Sequence, residues 1–119
     1  MRDFRKYDIW IHGLNLVEAI YVSVDKFPTK EKFGLSSQIT RSAVSIPSNI
    51  AEGASRSSEK DFTRFLEMAL GSAFELETQL IIASKRVYIQ QTELDKSIKI
   101  LTSLQKRIYA LRKKVLSKD

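Results

Sequence analysis

Cysteine is absent from the 119 residues. Disulfides, thiolate nucleophiles and cysteine-type zinc sites are therefore excluded together, and a reducing compartment is the natural setting. Histidine occurs once, at His12. A di-iron bundle needs Glu-x-x-His pairs from two helices, which one imidazole cannot supply. A lone histidine near Trp10 fits a packing or surface role better than that of a base. No HExxH, P-loop, GxGxxG or GxSxG pattern occurs, and the many serines lack a base to activate them. Glu67, Glu75 and Glu77 have no oxygen-rich loop beside them to complete a hard-cation site. The expectation is a protein that is not an enzyme, with no catalytic residue, no metal and no cofactor.

Long apolar runs are missing too. None approaches the roughly 20 residues of a membrane helix, and "MRDFRKYD" is too acidic and too polar to open a secretory signal. These features predict a cytoplasmic chain with no membrane partner. Helix breakers are scarce, with two prolines and four glycines.

What remains is helical periodicity. Apolar residues recur at steps of three and four, the pattern of amphipathic helices. The first segment gives Tyr7, Trp10, Leu14, Val17, Tyr21 and Val24, ending at "FPTK". The second gives Leu35, Ile39, Ala43, Ile46 and Ile50, ending near Gly53. The third runs through Phe62, Leu66, Ala69, Ala73, Leu76, Leu80, Ala83 and Val87. The fourth gives Leu94, Leu101, Leu104, Ile108, Leu111 and Val115. No convincing period-two strand appears. Thr29 after Pro28, Ser58 with Asp61, and Thr92 with Asp95 resemble starting caps. Short connections favour antiparallel neighbours, so residues 1–119 are expected to form a single all-α domain, an up-down-up-down four-helix bundle.

Pro47 interrupts the second segment. It removes one helical hydrogen bond and crowds the carbonyl of Ala43, which predicts a kink. Gln38, Arg41, Ser45, Asn49 and Glu52 share one stripe of that segment, and Gly71, Ser72, Glu75 and Gln79 share one on the third. The two stripes are either solvated faces or an ordered polar seam. In a seam, Arg41 would pair with Glu75 or Glu52, because a buried guanidinium needs a carboxylate. Gly71 and Ser72 are small enough to admit another backbone.

Formal net charge is +6, and residues 91–119 alone carry +5. Lys99, Lys106 and Lys113 recur at seven-residue steps, with Arg107 and Lys114 on an adjacent line and Arg112 nearby. All can lie away from the apolar face. Such a stripe either solubilises the surface or follows a phosphate backbone with little sequence preference. Tyr109 interrupts the basic run and suits either base stacking or a subunit interface.

The stretch Gly34 to Ala83, "GLSSQITRSAVSIPSNIAEGASRSSEKDFTRFLEMALGSAFELETQLIIA", resembles the core of the four-helix-bundle proteins encoded by 23S rRNA intervening sequences. The likeness is carried by Gln38, Arg41, Ser45-Ile46, Asn49-Ile50-Ala51-Glu52-Gly53, Phe65, Ala69, Gly71-Ser72 and Glu75-Leu76. Trp10 and Phe27-Pro28 extend it over most of the chain. The resemblance implies a ring-like homo-oligomer, a pentamer in known cases. It also implies kinship with the accessory variability determinant of diversity-generating retroelements, a positively charged barrel that binds nucleic acid and associates with a reverse transcriptase. Two positions depart from the pattern. Thr40 stands where relatives often carry a second basic residue. Val87 stands where many have Gly, and its β-branch predicts a turn without a left-handed residue.

A ring would repeat the basic stripe as a positive belt. The expected function is non-enzymatic RNA or DNA binding through Lys99, Lys106, Arg107, Arg112, Lys113 and Lys114. The alternative is a scaffold for an acidic partner protein, with Gln38, Arg41, Ser45, Asn49, Glu52, Ser72 and Glu75 as structural seam or oligomer interface.

Overall fold

Four long helices carry the chain: α1 (Asp8–Val24), α2 (Leu35–Ala54), α3 (Glu59–Lys85) and α4 (Gln91–Leu116). Single turns of 3-10 helix at Phe4–Lys6 and Thr29–Glu31 flank α1. This computed structural model describes residues 2–117 and holds no strand among them. Each helix packs on the next in sequence, and α4 contacts α1, an arrangement consistent with a four-helix bundle.

The apolar stripes of α2, α3 and α4 face the core as their periodicity requires, except that Val87, the last member of the third, lies past the end of α3 and is exposed. Ile39, Ala43, Ile46 and Ile50 meet Leu66, Ala69, Ala73, Leu76 and Leu80, with Leu101, Leu104 and Ile108 completing the interior. Burying each large aliphatic side chain contributes about 1.5–3 kcal/mol, so these rows dominate the stabilisation. In α1 the buried face differs from the expected stripe. Ile9, Gly13, Leu16, Ile20 and Ser23 point inward, while Leu14 and Tyr21 are exposed. Asp8, His12, Asn15 and Glu18 share one exposed polar stripe of α1 with apolar residues on both flanks, so periodicity alone could not select which flank is the inner face.

Pro47 lies inside α2 and is buried. Gly13 faces it: a Cβ added there would sit 3.4 Å from the Pro47 Cβ, so α1 and the proline ring pack closely at this point. The proline removes the helical donor of the Ala43 carbonyl, while side chains bond other carbonyls of the same turns. Ser45 Oγ donates to the Ser42 carbonyl at 2.7 Å, and Asn49 Nδ2 donates to the Ser45 carbonyl at 2.8 Å.

Helix ends follow local chemistry. Ser58 caps α3, its Oγ accepting from the Asp61 N–H at 3.0 Å. Thr92 does not cap α4, which begins two residues earlier than that cap would set, after Gln90 and without a side-chain cap; Gln91 instead donates to Asp95. Thr29 likewise lies within its 3-10 turn rather than capping it. The end of α3 corrects a second expectation. Val87 adopts φ 64° despite its β-branch. The Val87 N–H donates to the Ser84 carbonyl and the Tyr88 N–H to the Ala83 carbonyl, both at 2.9 Å, which is the Schellman pairing. The unsatisfied carbonyls at the end of α3 and the burial of Ile89 just beyond hold the valine there.

Candidate functional site: a basic face and a polar pocket

The α4 face is built by its register. Leu101, Leu104, Ile108 and Val115 turn inward, which leaves Lys99, Lys106, Lys113 and Lys114 exposed. Among the described residues none of these four lysines has a carboxylate within 4.0 Å. The two arginines of the expected set behave differently. Arg107 donates from one terminal nitrogen to Asp8 Oδ2 and to His12 Nδ1, both at 2.7 Å. That hydrogen bond holds the Asp8 carboxyl below the usual carboxylate range. Arg112 pairs with Glu67 at 3.0 Å. Each arginine thus spends charge on a neighbouring helix, Arg107 on α1 and Arg112 on α3, whereas the lysines do not.

Two shallow depressions meet along this face. Lys99, Thr102, Ser103, Lys106 and Arg107 line one of about 510 Å³. Leu70 and Phe74 of α3 join Thr102, Gln105, Lys106 and Tyr109 around another of about 600 Å³. The rings of Phe74 and Tyr109 are both about half exposed. Cationic nitrogens and accessible aromatic surface therefore lie side by side at Lys106. His12 sits at the edge of the face with its Nδ1 accepting from Arg107. Among the described residues no three His, Cys, Asp or Glu side chains gather as metal ligands, and no helix is long and apolar enough to cross a membrane.

The second cluster lies between α2 and α3. Gln38, Arg41, Ser42 and Ser45 from α2 and Ser72, Glu75 and Gln79 from α3 line a polar pocket of about 480 Å³. One side-chain hydrogen bond crosses it, from Ser42 Oγ to Glu75 Oε1 at 2.7 Å. The expected Arg41 pair does not form: Arg41 is exposed and takes part in no ion pair among the described residues. Glu52 pairs with Arg56 one turn along α2 at 2.8 Å. Asn49 and Ser45 donate to backbone carbonyls of their own helix rather than across to α3. Gly71 faces open space, since a Cβ there would meet nothing within 4 Å. It makes no close approach within the chain.

Ser42 and Phe74 are the functional-surface residues that periodicity left out. Ser42 follows Gln38 by four and precedes Ser45 by three, so the stripe spacing already contained it. Phe74 reads as one more apolar helix residue, and only the packing of α3 on α4 exposes its ring beside Lys106.

The comparisons agree with this architecture. A family model described as 23S rRNA-intervening sequence protein matches residues 5–110. The chain is also similar to a solved structure, the 1.70 Å crystal structure of a protein with unknown function from the S23 ribosomal protein family of Bacteroides thetaiotaomicron VPI-5482. The TM-score is 0.82 at 27% identity, covering 88% of this chain and 98% of that one. Among curated proteins no significant match is found.

Proposed function

The chain belongs to the 23S rRNA-intervening sequence protein family, and from that premise we propose that it is a non-enzymatic, cytoplasmic homo-oligomer that binds nucleic acid through α4 with little sequence specificity. One observation carries this reading. Lys99, Lys106, Lys113 and Lys114 are exposed and unpaired among the described residues, with Phe74 and Tyr109 alongside. Lysines without acidic partners can displace counterions from phosphates, and half-exposed rings offer faces on which unpaired bases stack. Single-stranded RNA satisfies both.

The finer architecture belongs to the same proposal. Ser23, near the end of α1, bonds Glu93 near the start of α4, while Asp8 at the start of α1 meets Arg107 late in α4. These pairs support an up-down-up-down order, and the hydrogen bond lost at Pro47 supports a kink in α2. Assembly is assigned to the outer stripe of α1. Ile11, Leu14, Tyr21 and Val22 are all exposed on a helix that is apolar on its inner side as well. Exposed apolar side chains clustered on one helix mark a surface suited to a second copy. Five copies, the number the resemblance implies, would repeat the lysine row as a belt. Kinship with the accessory variability determinant of diversity-generating retroelements is part of this proposal.

Fluorescence anisotropy with a short single-stranded RNA across a salt series tests the reading, with native mass measurement in parallel. Binding is expected to weaken steeply with salt. Replacing the four lysines by Gln is expected to reduce the slope of log K against log salt by about 0.7 per lysine lost. Salt-independent binding, or none at low salt, refutes it. Capture of an acidic protein in the absence of strand binding would favour the scaffold alternative.

A further inference from the structure

Gln105 is a polar residue buried where α3 meets α4, only 8% exposed. Its Nε2 donates to Glu77 Oε1 at 2.8 Å. A carboxylate only accepts, so this bond fixes which end of the amide is nitrogen and turns the carbonyl oxygen away from Glu77. Among the described residues no donor reaches that Gln105 Oε1, yet it is not sealed. The side-chain atoms shut from solvent without a partner are Gln79 Oε1 and Arg112 Nε, so the Gln105 oxygen keeps accessible surface. Gln105 is a wall of the depression of about 600 Å³ between α3 and α4, and there its oxygen can be met. A buried amide held in one orientation with an open acceptor is a recognition element rather than a solvated surface group.

The rest of the depression supplies what such an acceptor needs beside it. Thr102, Gln105, Lys106 and Tyr109 are spaced to share one face of α4, and Leu70 and Phe74 stand one turn apart on α3 as the opposite wall. The half-exposed rings of Phe74 and Tyr109 offer flat apolar surface. The half-buried Thr102 hydroxyl can donate or accept as it rotates. Lys106 brings a cation to the same depression. A nucleobase matches all of these: a planar ring, an edge bearing N–H, and a phosphate one sugar away. Uracil, cytosine, adenine and guanine each carry an N–H on the pairing edge. One acceptor therefore separates the four bases little, but it is denied a base whose edge is already paired.

We infer that this depression takes one unpaired nucleobase of a bound strand, stacked on Tyr109 or Phe74, with its edge N–H donated to Gln105 Oε1 and its phosphate beside Lys106. The subsite rests on the α4 reading and adds to charge attraction a specific place for a base.

Anisotropy at one salt concentration with three labelled strands of equal length separates the two. Oligouridine has the edge donor. An N3-methyluridine strand keeps ring and charge but lacks it, and an abasic strand keeps only the backbone. Methylation is expected to weaken binding about three- to tenfold, the effect of one hydrogen bond, and the abasic strand is expected to bind more weakly still. Gln105→Met is close in volume and has no amide acceptor. It is expected to lower oligouridine to the affinity of the methylated strand and to leave that strand unchanged. Tyr109→Leu, at a half-exposed position, is expected to weaken both base-bearing strands and not the abasic one. Replacing the four lysines by Gln is expected to weaken all three strands in parallel. Equal binding of oligouridine and its methylated form overturns the subsite while salt-dependent binding still supports the α4 reading; no binding by any strand at low salt overturns both. A ratio of the two strands that survives Gln105→Met, with far-UV circular dichroism unchanged, also overturns the subsite. So does a native particle that dissociates on Tyr109→Leu, because a second copy would then cover the depression. The strand comparison and Tyr109→Leu decide the question even if Gln105→Met folds poorly.

Discussion

Val87→Gly is expected to stabilise the protein. At φ 64° the Cβ of an L-residue crowds the following carbonyl oxygen, at a cost of about 1–2 kcal/mol. Glycine removes that crowding but has more freedom to lose on folding, which returns about 0.5–1 kcal/mol to the unfolded state. Little packing offsets the gain, since Val87 is 85% exposed. The net expectation is a gain of about 0.5–1 kcal/mol. At roughly 2.1 cal/mol/K per residue, the unfolding entropy of this chain is about 250 cal/mol/K, so Tm should rise by about 2–4 °C. Thermal melts followed by far-UV circular dichroism measure the shift, at one protein concentration because assembly would couple to Tm. Val87→Ala is the control: it relieves the β-branch but keeps the Cβ, and should fall between the two. A glycine variant that melts at or below the alanine variant would show that the left-handed turn stores no strain.

Two glycines should respond to alanine with opposite signs. At Gly53 the added Cβ would lie 2.6 Å from the Phe65 Cβ, so Gly53→Ala should lower stability by about 1–2 kcal/mol in urea unfolding. At Gly71 it meets nothing within 4 Å in mid-helix, so Gly71→Ala should raise stability by about 0.5–1 kcal/mol in the same assay. Acid should weaken the fold through two carboxyls. Hydrogen bonds from the Tyr88 hydroxyl and the Leu35 N–H lower the Glu31 carboxyl, as Arg107 lowers Asp8. Both folded values lie below the unfolded ones, so the stabilisation is complete above about pH 5 and disappears as pH falls through the lowered values. Glu31→Gln should flatten that part of a Tm-against-pH profile, and an unchanged slope would assign the acid sensitivity elsewhere.

Much of this molecule was legible from residue spacing. The stripes of α2, α3 and α4 point to the faces that the structure buries, and Ser58 announces the start of α3, because both signals act within a few residues along the chain. The inner face of α1 was not legible. Asp8, His12, Asn15 and Glu18 mark only the outer side, and two apolar faces flank that polar stripe, so the neighbours decide which of the two is buried. Val87 shows the same limit: its β-branch argues against a left-handed turn, yet the hydrogen bonds closing α3 override that local preference.

By itself the sequence determined that the described chain is helical, that α4 is basic, and that cysteine chemistry is excluded. Periodicity and charge are properties of residues taken in order. Tertiary packing alone decided which charges stay unspent. It placed Asp8 against Arg107 and Glu67 against Arg112, left the lysines without acids among the described residues, and buried the Gln79 oxygen with no hydrogen-bond partner among protein atoms. Ion pairs and orphaned acceptors depend on which helices meet and at what distance, and no spacing rule within one helix contains that information.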